Sequence, residues 1–266
     1  MIDSHCHLAD PKFTQDLPDL VSRALQAGVD RMIAIADSLP EALKCQNIAE
    51  KYDQIFYTAG VHPHVAKEWK ADPSSGSGGK RKIMEFAQDR KCKAVGEIGL
   101  DYHYMNSPKE DQIRAFREQV QIANELKFPI VVHNRESIDD LLAIIRELSP
   151  AKMVLHCCTE KWDDVAALIE KGYLLSFTGI ATYPKSKEIR ETIKRCPLAQ
   201  MMVETDAPYL APESKRGKRN EPAFVVEVAK LIAEIKGISY EEVDRVTTEN
   251  AVQFFSLAPV GQRIDR

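Results

Sequence analysis

Short apolar runs alternate along this chain with longer stretches whose apolar residues recur at helical spacing. The runs Met1–Ser4, Arg31–Ala36, Ile55–Ala59, Ala94–Ile98, Pro129–Val132, Met153–Leu155, Tyr173–Phe177 and Met201–Glu204 predict eight strands. Helical spacing predicts helices over Leu17–Ala27, Pro40–Tyr52, Lys109–Leu126, Ser137–Leu148, Lys161–Lys171 and Lys185–Lys194. A closing helical stretch covers Pro222–Ala251. Gly28 and Gly172 stand just past two helices, where a left-handed residue ends the last turn. The strands are apolar at most positions, as parallel strands covered on both faces are.

Eight strand–helix units in succession predict a single α/β domain, a TIM-type (β/α)8 barrel rather than an open doubly wound sheet. The barrel is expected over residues 1–257, with 258–266 as a tail. ADPSSGSGGKRK (71–82) reads as a Gly/Ser-rich loop before the third helix.

A length of 266 residues suits one such barrel, and 44% hydrophobic residues are enough for its core. The net charge of −4 excludes a global basic field, so a nucleic-acid substrate has to be held by a local patch or by metal ions. The six cysteines show no C-x-x-C spacing. There is neither a signal-peptide pattern nor an apolar run of membrane-spanning length. The expectation is a cytoplasmic protein with reduced thiols and no membrane association. The pair Cys157-Cys158 reads as strand-end packing rather than a redox device.

The ionisable residues change the picture most. His5 and His7 follow the first strand, and His62 and His64 the third. Glu97, His133 and His156 end the fourth, fifth and sixth, and Asp206 follows the eighth. Active sites of barrel enzymes lie at the C-terminal ends of their strands. Strand alternation points His5 and His7 to one side, where two imidazoles can grip one ion. Glu97 is the carboxylate best suited to bridge two ions, which together activate a water. Each residue alone has a plainer reading: Asp206 before Ala207-Pro208 also fits a turn, and a lone strand-end histidine also fits structural hydrogen bonding. Together they favour a metal hydrolase site over packing.

The segments DSHCHL, GVHPH, GEIGLDY, VVHNRE, VLHC, ETDAPYL and RNEP resemble the TatD family of metal-dependent deoxyribonucleases, a branch of the amidohydrolase-like barrels. The resemblance covers about residues 1–257. It implies hydrolysis of DNA phosphodiesters, 3′→5′ from chain ends, through two divalent ions (Mg²⁺, Mn²⁺ or Zn²⁺) and a metal-activated water. It implies that His5, His7, Glu97 and Asp206 hold one ion, and Glu97, His133 and His156 the other. Asp206 would also orient or deprotonate the attacking water, and His62 would face the scissile phosphate beside His64. The sequence departs from the family pattern after His156, where Cys157-Cys158-Thr159-Glu160 lacks an aromatic residue and a glycine, and 71–82 resembles a local insertion.

Groups for the rest of a DNA substrate are Lys215, Arg216, Lys218 and Arg219, in the loop after Asp206. Arg135 fits a bidentate phosphate contact or a pairing with a nearby acid. Tyr102, His103 and Tyr209 are placed to stack on bases, although Tyr209 also fits packing on the rim. DNA is the expected partner, and no protein partner is predicted. The competing expectation is a barrel metallohydrolase of another ester or amide, including an aminoacyl-tRNA deacylase. A non-catalytic barrel is disfavoured because every motif ligand is present, and strand four offers a glutamate where a carboxylated lysine bridges metals in the wider group.

Overall fold

Apolar runs become buried strands and amphipathic segments become helices in the order expected. The computed structural model describes residues 1–69 and 78–258. The strands are β1 (Ile2–Cys6), β2 (Arg31–Ala34), β3 (Ile55–Ala59), β4 (Cys92–Asp101), β5 (Ile130–Arg135), β6 (Met153–Leu155), β7 (Leu174–Phe177) and β8 (Met201–Val203). The helices are α1 (Leu17–Gln26), α2 (Leu39–Lys51), α3 (Gly79–Phe86), α4 (Lys109–Leu126), α5 (Ile138–Leu148), α6 (Trp162–Glu170), α7 (Lys187–Arg195), α8 (Val225–Lys236) and α9 (Tyr240–Phe254). The sheet runs β1 to β8 in sequential order with parallel pairing, and Ala207, just past β8, bridges in parallel to Cys6 of β1. This is the TIM-type (β/α)8 barrel class. Every residue of β1, β2, β3, β6 and β8 is buried.

The chain packs as two compact units. One comprises Met1–Ala34, Asp53–Ile55 and Cys157–Arg266, and thus β1, β2, β7 and β8. The other comprises Ile35–Tyr52 and Phe56–His156, with nearly all of β3 and with β4, β5 and β6.

Local chemistry explains the ends. Ser38 caps α2 by accepting the Glu41 N–H at 3.3 Å, and the Glu41 carboxylate reaches back to the Asp37 N–H at 2.9 Å. Gly28 and Gly172 both take the left-handed conformation expected of them. Four sequence expectations are corrected. The stretch Pro222–Ala251 is broken, because Gly237 (φ 65°) ends α8 in a left-handed turn and Ser239 caps α9 through the Glu242 N–H. The part of 71–82 from Gly79 on is helical: Ile83 points inward, while Arg81 pairs with Glu85, and so polar a helix leaves little periodic signal. The rest of that loop up to residue 77, like residues 259–266 of the expected tail, lies outside the described residues. β1, β4 and β5 run past their predicted ends, so His5 and His133 lie inside strands rather than after them, and Glu97 lies well within β4. β2 and β8 stop earlier, at Ala34 and Val203. Among the described residues no helix is long and apolar enough to cross a membrane.

Candidate metal centre

In the unit built around β4, three imidazoles converge on one carboxylate oxygen. Glu97 Oε1 lies 2.9 Å from His133 Nδ1, 2.9 Å from His156 Nε2 and 3.4 Å from His62 Nε2. The register of β4 and β5 arranges this. Gly99 pairs with His133 and Asp101 with Arg135, which sets His133 between Glu97 and Asp101. Only glycine permits that register: Gly99 has φ 146°, and a Cβ there would stand 2.0 Å from the His133 carbonyl oxygen.

Asp101, fully buried, holds the other side of the cluster. Its Oδ2 accepts from His64 Nε2 at 2.9 Å and from His133 Nε2 at 3.2 Å. Its Oδ1 accepts the N–H groups of His103 at 3.0 Å and Tyr104 at 2.8 Å. Burial opposes charge on both Asp101 and His133, but their mutual hydrogen bond and its neighbours win. The carboxyl is held well below the usual range, and the imidazole titrates above its ordinary value. His62 goes the other way: burial lowers its pKa against the pull of Glu97. Its Nδ1 accepts the His64 N–H at 3.1 Å, which leaves the proton of the neutral ring on Nε2. His62 Nε2 therefore presents a donor, and it faces Glu97.

In the other unit a second set of ligands converges. His5 Nε2 lies 3.3 Å from His7 Nε2, and Asp206 Oδ1 lies 3.2 Å from His7 and 3.5 Å from His5. Ligands about 2.1 Å from a tetrahedral ion stand about 3.4 Å from one another. The two imidazole nitrogens and the carboxylate oxygen thus already have the mutual spacing of a coordination shell, and the donor set fits a divalent ion. The backbone enforces it. Asp206 N–H bonds to the His5 carbonyl at 2.9 Å and His7 N–H to the Ala207 carbonyl at 2.7 Å. Asp206 sits at φ 57°, a conformation that Asp tolerates better than most side chains.

Two buried acids brace this unit. Glu204 accepts the Cys157 N–H at 2.7 Å and the Ser176 hydroxyl at 2.6 Å. Asp3 accepts the Thr205 N–H at 3.0 Å and lies 2.6 Å from the Thr205 hydroxyl. Burial pushes the Asp3 pKa up to about 8. An acid raised in this way binds its proton more tightly folded than unfolded. It costs nothing below about pH 4, and its contribution to stability falls as pH rises towards about 8. In protein stripped of metal, the stability of wild type minus that of Asp3→Asn is therefore expected to decline from pH 5 to pH 8. Paired thermal melts across that range check this, and a pH-independent difference refutes it.

The predicted substrate groups are distributed as follows. His64 is committed to Asp101 through Nε2. His103 Nδ1 lies 2.7 Å from Glu136. The Tyr102 hydroxyl donates to Asp140 at 2.7 Å, and Lys109 lies over its ring. Arg135 stacks over Tyr104, which is 54% exposed and which the sequence reading passed over. Tyr209 is exposed and donates to Asp10 at 2.8 Å. Arg219 turns to Asp16 at 2.6 Å, Arg216 pairs with Glu213 and stacks on Tyr183, and Lys215 lies over Phe224. Lys218 N–H bonds to the Lys215 carbonyl within the same loop. Sequence reasoning also missed Asp101 and Glu204 as members of the site; the only signal was their place inside GEIGLDY and ETDAPYL.

The sequence pattern of the family described as TatD related DNase matches residues 2–256. The uncharacterized metal-dependent hydrolase YcfH of Escherichia coli (strain K12) is 36% identical over 262 residues, spanning 97% of this chain and 96% of that protein. The 3′-5′ ssDNA/RNA exonuclease TatD of Escherichia fergusonii is 32% identical over 266 residues, spanning 97% of this chain and all of that protein. The crystal structure of YJJV, a TatD homolog from Escherichia coli K12, matches with a TM-score of 0.89 at 26% identity, over 97% of this chain and 98% of that one.

Proposed function

Because the chain belongs to the TatD related DNase family and is a metal-dependent hydrolase of that family, we propose that it is a nuclease that shortens single-stranded DNA from its 3′ end. The observation that carries this reading is the pair of converging ligand sets, His5, His7 and Asp206 in one unit and Glu97, His133 and His156 in the other. His5, Glu97 and His133 lie in β1, β4 and β5, and His7, His156 and Asp206 lie just past the C-terminal ends of β1, β6 and β8, the catalytic end of this fold class. In this reading the two sets would hold two divalent ions (Mg²⁺, Mn²⁺ or Zn²⁺). Bound there, such ions supply Lewis-acid activation of water and neutralise charge at phosphorus.

The chain's own groups do the rest. Asp206 orients the attacking water and takes its proton. His62 donates from Nε2 to a non-bridging phosphate oxygen, where charge grows in the transition state. Arg135 and the 215–219 loop hold neighbouring phosphates, a role for which their charge is suited. Of the aromatic residues, Tyr209 is the more exposed, with Lys12 over its ring as Lys109 lies over that of Tyr102. The relative named a 3′-5′ ssDNA/RNA exonuclease supports this substrate class. All six cysteines are thiols, which suits a reducing cytoplasm.

The test uses one oligonucleotide labelled at either end, with Mn²⁺ or Mg²⁺ added or with EDTA. Early loss of the 3′ label, a shortening ladder from the 5′ label and no reaction in EDTA are expected. An intact oligonucleotide in the presence of metal-loaded protein refutes the nuclease reading and redirects the site to another ester or amide.

A further inference from the structure

We propose that Asp101 is a positioning residue that fixes which nitrogen His133 offers to the metal centre. The inference rests on the metal-binding reading above but not on the nature of the substrate. His133 lies between two carboxylates and uses a different ring nitrogen for each. Nδ1 faces Glu97 Oε1 at 2.9 Å, and Nε2 faces Asp101 Oδ2 at 3.2 Å. A carboxylate accepts and does not donate, so Asp101 holds the proton on Nε2. The proton that a metal would displace is then the one on Nδ1, facing Glu97, and the lone pair it leaves points to where the ligands gather. A carboxylate behind a ligating histidine fixes its tautomer and orientation in this way.

Asp101 is itself held rigidly. It is fully buried, and its Oδ1 is bound by the His103 and Tyr104 N–H groups, which fixes the carboxylate plane. The remaining oxygen, Oδ2, serves His133 and His64 together. This makes Asp101→Asn a sharp probe. The two backbone N–H groups retain the amide oxygen at the Oδ1 position and so turn the amide NH2 towards both histidines. An NH2 facing His133 Nε2 favours the opposite tautomer, with the proton on Nδ1. The ring then presents a donor where the metal needs a lone pair. Size, shape and the backbone hydrogen bonds are preserved, so the fold is retained while the tautomer changes.

Two measurements test this without any turnover of DNA. Calorimetric titration with Mn²⁺ alone is expected to show about 10- to 100-fold weaker binding in Asp101→Asn than in wild type. His64→Asn, which removes the other histidine from the same carboxylate, should bind within about threefold of wild type. A role in general electrostatics or folding would move both variants together. Nitrogen-15 correlation spectra of the zinc-loaded wild type are expected to show His133 ligated through Nδ1 with the proton on Nε2. That spectrum needs no variant and stands even if Asp101→Asn misfolds. Unaltered Mn²⁺ affinity in folded Asp101→Asn, or ligation through Nε2 in wild type, overturns the proposal. A wild type that binds no metal overturns it together with the metal-centre reading, and is recognised by its flat isotherm. Intact metal binding without any DNA cleavage leaves this proposal standing and removes only the nuclease.

Discussion

Replacing Glu97 with glutamine is expected to lower metal-dependent hydrolysis by at least ~1,000-fold, about 4 kcal/mol of transition-state stabilisation. The side chain is 1% exposed, and one of its oxygens is the common neighbour of His62, His133 and His156. Of these, His133 and His156 supply lone pairs but no charge. A dication among them, out of water, needs an anionic ligand to offset its desolvation. Glutamine keeps the volume and removes that charge, and an amide oxygen is a far weaker ligand than a carboxylate. The loss should therefore appear in bound metal as well as in kcat. Metal analysis of the purified variant, with a circular-dichroism melt to confirm folding, checks this. A folded Glu97→Gln protein with wild-type turnover would remove Glu97 from the centre.

Asp206→Asn is expected to cost about 100- to 1,000-fold in kcat, in the range that a preorganised electrostatic contact commands. Asparagine adopts the left-handed conformation at φ 57° as readily as aspartate, and the backbone bonds to His5 and Ala207 involve no Asp206 side-chain atom. What changes is the charge beside His5 and His7 and the capacity to accept a proton from water. A loss confined to KM would show that Asp206 merely holds substrate. A loss in kcat with metal still bound by His5 and His7 points to its part in activating water.

The candidate metal ligands were legible because strand periodicity and strand order are properties of the sequence. His5 and His7 alternate around Cys6, and β-strand geometry alone sends both to one side. What the sequence withheld depends on partners distant in the chain. Asp101 matters because His64, in the turn after β3, and His133, in β5, arrive at it, and nothing in LDY announces them. Glu204 likewise gains its place from the Cys157 backbone and the Ser176 hydroxyl. The substrate groups were least legible. Charge runs and tyrosines carry no sign of which way they turn, and the structure gives Arg219 to Asp16 and the Tyr102 hydroxyl to Asp140, while Tyr104 is left exposed. The strand ends were placed short, at Ile98 and Val132, because polar residues such as Asp101 and His133 read as strand boundaries, whereas β4 and β5 continue to Asp101 and Arg135.

The most direct test of the account is stepwise addition of Mn²⁺ to protein stripped with chelator, following bound metal and 3′-end release from single-stranded DNA in the same samples. The account predicts two equivalents bound, with turnover rising as the second is filled and absent without metal. DNA turnover that persists in the stripped protein, or full turnover with the His5, His7 and Asp206 set replaced, would contradict it.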